Sequence, residues 1–299
     1  MSRTENNILL FSITLCWAAS YVFIKSLPSD LSTYAYLTMT CGIAAALLTI
    51  VFFKKVKTVK FLTLGKSVIL SGLLLLNLIF DKMGIDRLTS SAASVLASSS
   101  ILIVPVVMII MRKIPTKNNL LGAVVIMTGI VITSGFKAEN IFSLGALFML
   151  LSAAVTSVYT IAADRITKEE DPLLLSVLQM WVTAIMGFVM WFIEEPTTFA
   201  SLEYTNEMLS SVFILAFFGK AYAYVALMYS QKYSDPINVT IIASTEPIVT
   251  LVLAVLIPTA FEEHFTAAAV FGAAVIMVGA IISGTDFLSR KGGEKLEAK

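Results

Sequence analysis

Ten apolar runs, each about long enough to cross a bilayer, dominate the sequence: 7–26, 32–53, 66–85, 89–111, 118–135, 142–164, 173–193, 208–230, 236–257 and 265–287. A helix rises 1.5 Å per residue, so about 20 mostly apolar residues cross a hydrocarbon core roughly 30 Å thick. The connections are short. The longest are "KKVKTVKFLTLG" after the second run and "EEPTTFASLEYTNE" after the seventh, and neither can hold a soluble domain. Composition agrees, with 58% hydrophobic and 14% charged residues, where soluble chains carry roughly 45–50% and about 25%. Only Arg3 and Glu5 precede the first run as charges, and no small-residue cleavage site follows it, so it reads as a retained helix. The expectation is an all-α, multi-pass protein of the cell membrane with ten transmembrane helices.

Lysine and arginine set the orientation. The 2–3 loop holds Lys54, Lys55, Lys57 and Lys60; the 4–5 loop holds Arg112, Lys113 and Lys117; the C-terminal tail holds Arg290, Lys291, Lys295 and Lys299. The 7–8 loop carries Glu194, Glu195, Glu203 and Glu207, and the 9–10 loop carries Glu262 and Glu263, with no basic residue in either. Ten helices with N and C termini in the cytoplasm place the basic loops inside and both acidic loops outside.

The chain also repeats itself. "GAVVIMTGIVITSG" at 122–135 resembles "GAAVIMVGAIISG" at 272–284, and Gly122, Ala123, Val125, Ile126, Met127 and Gly129 have identical partners 150 positions on. Five helices (1–140) are thus followed by five related helices (141–299). An odd number of crossings reverses direction, so the two repeats must lie inverted in the membrane. Inverted repeats mark alternating-access transporters, whose site lies near the midplane between the halves.

The residues "CWAASYVFIK" (16–25) and "STEPIVTLVLAVLIPTAFEEHFTAAAVFGAAVIMVG" (244–279), with Pro247, Glu262 or Glu263, and Gly272, together with the 5+5 arrangement, resemble the EamA-type transporters of the drug/metabolite transporter superfamily. That resemblance implies a small-metabolite carrier, often an exporter, with a cavity lined mainly by helices 1, 3, 4, 6, 8 and 9.

Charges inside the spans are the candidate site. Glu246 lies roughly 15 Å from the inner end of helix nine and Lys220 about 18 Å from the outer end of helix eight, both near mid-depth. A charge there costs roughly 2.5–3.5 kcal/mol even on lenient scales. A Lys220–Glu246 pair is the natural expectation, because pairing offsets desolvation. Two readings are open: a substrate-facing pair, in which Lys220 holds a carboxylate and Glu246 an ammonium or a coupling proton, or a permanent ion pair that fixes two helices. Pro247 frees a backbone carbonyl one turn back, within an unusually polar "STEP".

Helix three adds Asn77 near mid-depth, with Asp81 and Lys82 toward its outer end, where a solvated helix end is the competing account. Helix four adds Ser98, Ser99 and Ser100, which also suit close packing. Trp17 and Tyr21 share a face at i, i+4 and, with Tyr159, Tyr222 and Tyr224, are candidates to wall a cavity or stack on an aromatic or cationic cargo. The residues expected to contact substrate are therefore Glu246, Lys220, Trp17, Tyr21, Asn77, Tyr222 and Ser98.

Several functions are disfavoured. A net charge of +1 makes no electrostatic case for nucleic acid. Cys16 and Cys41 sit in apolar runs, His264 is the sole histidine, and no nucleotide-binding, serine-hydrolase or zinc-protease motif occurs. No cofactor and no enzymatic activity are expected. The leading expectation is a secondary carrier, with proton or substrate-exchange coupling, for a small polar metabolite such as an amino acid or related zwitterion. A carrier of cationic or aromatic compounds and a non-transporting membrane scaffold are the alternatives.

Overall fold

A computed structural model describes residues 1–25, 27–28, 31–110, 116–133, 143–196, 202, 204–256 and 266–284. Among the described residues there is no strand. Besides a single turn at Phe53–Val56, the helices are α1 (Arg3–Lys25), α2 (Thr33–Val51), α3 (Phe61–Ile85), α4 in two pieces (Ser90–Ala97 and Ser100–Ile110), α5 (Lys117–Thr133), α6 (Leu144–Glu169), α7 (Pro172–Glu194), α8 (Asn206–Gln231), α9 in two pieces (Pro236–Ala243 and Glu246–Leu256) and α10 (Ala267–Gly284). Eight of these are long and apolar enough to cross a membrane, while the apolar parts of α5 and α10 are shorter.

The helix starts are written in the sequence. Ser32, Thr89, Ser143 and Thr205 each accept a backbone N–H of the first turn through the side chain. Asp171 and Asp235 do the same, each followed by proline at the first helical position. An N-cap oxygen satisfies an orphan donor, and proline has no N–H to orphan.

Both breaks tighten the backbone. At the α4 break, Ser99 and Ile101 donate to the carbonyls three residues back, Leu96 and Ser98; at the α9 break, Thr245 and Ile248 do the same to Ile242 and Thr245. These are 3₁₀-type turns, which mark strain or function inside a helix. In α9 the cause is Pro247, which cannot donate to the carbonyl four residues back.

Helix α5 packs on α10 through glycines. A Cβ on Gly122 would fall 2.7 Å from the Gly279 carbonyl oxygen, and one on Gly129 would fall 2.7 Å from that of Gly272. Rising numbers on one helix meet falling numbers on the other, so the two run antiparallel. Both contacts join repeat-equivalent positions, so one is the image of the other. Lipid tails are as apolar as leucine, and close approach of small residues replaces the hydrophobic drive here.

Polar ties join the chain's elements at one end of the bundle. Lys66 Nζ bonds Glu169 at 2.7 Å and Glu170 at 2.8 Å, the Thr63 hydroxyl donates to Glu170 at 2.7 Å, and Lys55 pairs with Asp171. The Lys66 and Thr63 hydrogen bonds hold the Glu170 carboxyl below its ordinary range. Asn6 bonds Ser230, and Asn238 donates to Asn7 at 3.1 Å. Arg112, Lys113, Glu262, Glu263 and the C-terminal tail lie outside the described residues.

Candidate functional site

A cavity of about 130 Å³ lies inside the bundle, lined by α1, α2, α3, α4, α6, α8 and α9. Six of the seven expected contact residues line it: Glu246, Lys220, Trp17, Tyr21, Asn77 and Ser98. Lys220 and Glu246 are only 6% and 7% exposed. Two ionisable groups that deep on α8 and α9 face a shared polar space rather than lipid, as the cost of a charge in hydrocarbon requires.

The expected Lys220–Glu246 ion pair is not formed. Lys220 hangs between two aromatic rings, its Nζ 5.7 Å from the centroid of Tyr36 and 5.8 Å from that of Tyr224. Cys41 and Asp81 lie near it. Glu246 instead faces the Tyr21 hydroxyl, and Asp81 is again the neighbouring acid. The reason is azimuthal. Lys220 reaches the Tyr36 ring on α2, whereas Glu246 lies by Tyr21 on α1, so the two side chains project to different walls of the cavity.

Tyr222 departs from expectation. It is 39% exposed, and its hydroxyl pairs with Ser12 Oγ at 2.7 Å, outside the cavity lining. Tyr224 takes its place. It lies four residues after Lys220 and therefore on the same helix face, whereas Tyr222, two residues on, points nearly opposite. Residues Leu215–Tyr222 are π-helical, a rare form that recurs at functional sites. Gly219 in this segment lets α8 approach α1, since a Cβ there would sit 2.8 Å from Ser20 Oγ.

Asp81 and Lys82 are not a solvated helix end. Asp81 lines the cavity beside Ser152, four residues after Asn77 and on its face. Lys82 is buried and pairs with Asp86 at 2.6 Å. Asn77 is held by α6, donating to Ser152 Oγ at 2.8 Å and Thr156 Oγ1 at 2.6 Å. Ser98 lines the cavity while its hydroxyl donates to the Ser94 carbonyl at 2.9 Å. On the opposite side the Trp17 and Tyr224 rings meet at 5.9 Å, tilted by 56°.

The sequence profile of the EamA-like transporter family matches the chain twice, over residues 6–135 and 143–285. The chain belongs to the EamA-like transporter family. Two relatives from Archaeoglobus fulgidus, each named an uncharacterized transporter, are 21% identical to this EamA-type chain. One match covers 94% of the chain and 86% of the relative, the other 92% and 96%. A crystal structure of a protein 18% identical in sequence superposes with a TM-score of 0.75, covering 94% of the chain and 96% of its counterpart, which places the fold. The EamA-type protein is therefore a multi-pass membrane transporter.

Trp17 gives a direct test of the cavity wall. Because its ring borders the cavity, Trp17→Ala is expected to raise KM by roughly tenfold, the scale of one aromatic–cation contact, with membrane abundance near that of the parent. Parallel losses of activity and abundance in a western-normalised uptake assay would mark the ring as packing only.

Proposed function

We propose that this EamA-type protein is a secondary carrier of a small zwitterion, most simply a neutral amino acid, working by alternating access between two inverted five-helix repeats. The observation that carries the reading is the cavity itself: an ammonium on α8 and a carboxylate on α9, unpaired with each other, face one small space walled by aromatic rings. Lys220 takes the substrate carboxylate, Glu246 takes the ammonium, and Trp17, Tyr21 and Tyr224 cover the apolar part. The export direction rests on the family resemblance alone. The repeated glycine motif and the mirrored α5–α10 contacts support the inverted halves.

Ligand that binds only the folded state raises apparent stability by about 2.7 kcal/mol at a hundred times Kd. A thermal-shift panel on purified protein is expected to respond to neutral amino acids and weakly to their amides or to quaternary amines. A second reading has its own support, because Asp81 and Glu246 give the cavity two carboxylates against one lysine. Shifts from organic cations without shifts from amino acids would replace the zwitterion reading with a cation carrier.

The orientation is tested separately. A cysteine at Thr205 is expected to react with a membrane-impermeant thiol reagent added outside intact cells, and a cysteine at Lys57 to stay unlabelled until the membrane is opened. The opposite pattern would invert the topology.

A further inference from the structure

Asp81 has no place in the two-point scheme above, yet it lines the same cavity as Lys220 and Glu246 and lies near both. Lys220 is buried and held by two ring faces, and among the described residues no carboxylate lies within ion-pair distance of it. Cys41, also near it, offers a thiol and not an anion. An ammonium at this depth needs a compensating negative charge, and the need grows when closure of the cavity strips its remaining water. In the loaded carrier the substrate carboxylate supplies that charge. In the empty carrier, which must also close to complete a cycle, Asp81 is the group placed to supply it.

We propose that Asp81 is a positioning residue that lets the empty carrier reset: its carboxylate balances Lys220 when no substrate is present, and the substrate carboxylate displaces it in the loaded form. The inference rests on the zwitterion reading of the site. It predicts a separation that a merely structural Asp81 would not give. Without Asp81 the loaded carrier still crosses, and only the empty return step is impaired.

The test uses purified carrier in proteoliposomes loaded with radiolabelled leucine, a zwitterion with an apolar tail. Asp81→Asn is expected to lose roughly a hundredfold in net efflux into leucine-free buffer, the scale of one stranded charge, while leucine–leucine exchange stays within about twofold. Asp81→Glu, which keeps the charge, retains both. Equal loss of efflux and exchange, or unchanged efflux, overturns the proposal. A second measurement needs no ligand. In the empty carrier the loss of melting temperature on Asp81→Asn is expected to be largely reversed when Lys220→Met is added, because neither charge is then stranded. Additive losses overturn the proposal. If the parent carries no leucine, the zwitterion reading fails for this substrate, and the melting-temperature cycle decides on Asp81 by itself.

Discussion

Glu246→Gln is expected to insert and fold like the parent and to lose transport by roughly a hundredfold, the scale of about 3 kcal/mol for removing one buried charged contact. Glutamine keeps the shape and the hydrogen bonding toward Tyr21 but cannot bind an ammonium by charge or carry a proton. The structure sharpens this experiment. Were Lys220 and Glu246 a permanent lock, each single loss would strand a charge, and the double variant Lys220→Met with Glu246→Leu would regain folding and transport. They form no ion pair, and the carboxylate near Lys220 is that of Asp81. The double variant is therefore expected to remain inactive while staying in the membrane. Uptake assays normalised to folded carrier by fluorescence size exclusion separate the two outcomes, and a fully active double variant would remove both residues from the site.

How far the sequence carries is visible in these residues. Apolar run length and cap chemistry locate the helices, because both are local properties: Ser143 or Asp171 caps its helix whatever lies across the bundle. Depth is nearly as legible, since it follows from the rise per residue. Six of seven expected site residues meet in one cavity on that basis. Azimuth and neighbour relations are not local. Lys220 and Glu246 share a depth by helix rise but project to different walls, one toward Tyr36 of α2 and the other toward Tyr21 of α1, and only tertiary packing decides that. Tyr222 fails for a simpler reason, because the i, i+4 partner of Lys220 is Tyr224. Asp81 was obscured by its nearness to a helix end. The cavity reaches that end, where Ile24 and Ile85 also line it, so a terminal position is not a solvated one. Its spacing of four from Asn77 was the available signal.

Gly129→Ala, a substitution that touches no charge, is expected to destabilise the fold through backbone contact alone. Its Cβ would fall 2.7 Å from both the Gly272 carbonyl oxygen and the Ile276 backbone nitrogen, and backbone atoms cannot step aside as a side-chain tip can. The helices must separate, and overpacking of this kind costs about 1–3 kcal/mol. At about 2–4 °C per kcal/mol for large domains, the apparent melting temperature should fall by roughly 2–12 °C. Gly279→Ala, whose Cβ would meet the Ile126 nitrogen at 2.7 Å and the Gly122 oxygen at 2.9 Å, should fall by a similar amount because it is the mirrored contact. The double variant should cost less than the sum, since the first alanine already opens the crossing. Gly72→Ala is the control. Nothing lies within 4 Å of its Cβ, and alanine in a helix interior is favoured over glycine by about 1 kcal/mol. It should leave the melting temperature level or raised. A Gly129→Ala protein as stable as the Gly72→Ala protein would mean that α5 and α10 do not meet backbone to backbone, and the mirrored crossing that supports the inverted halves would fall with it.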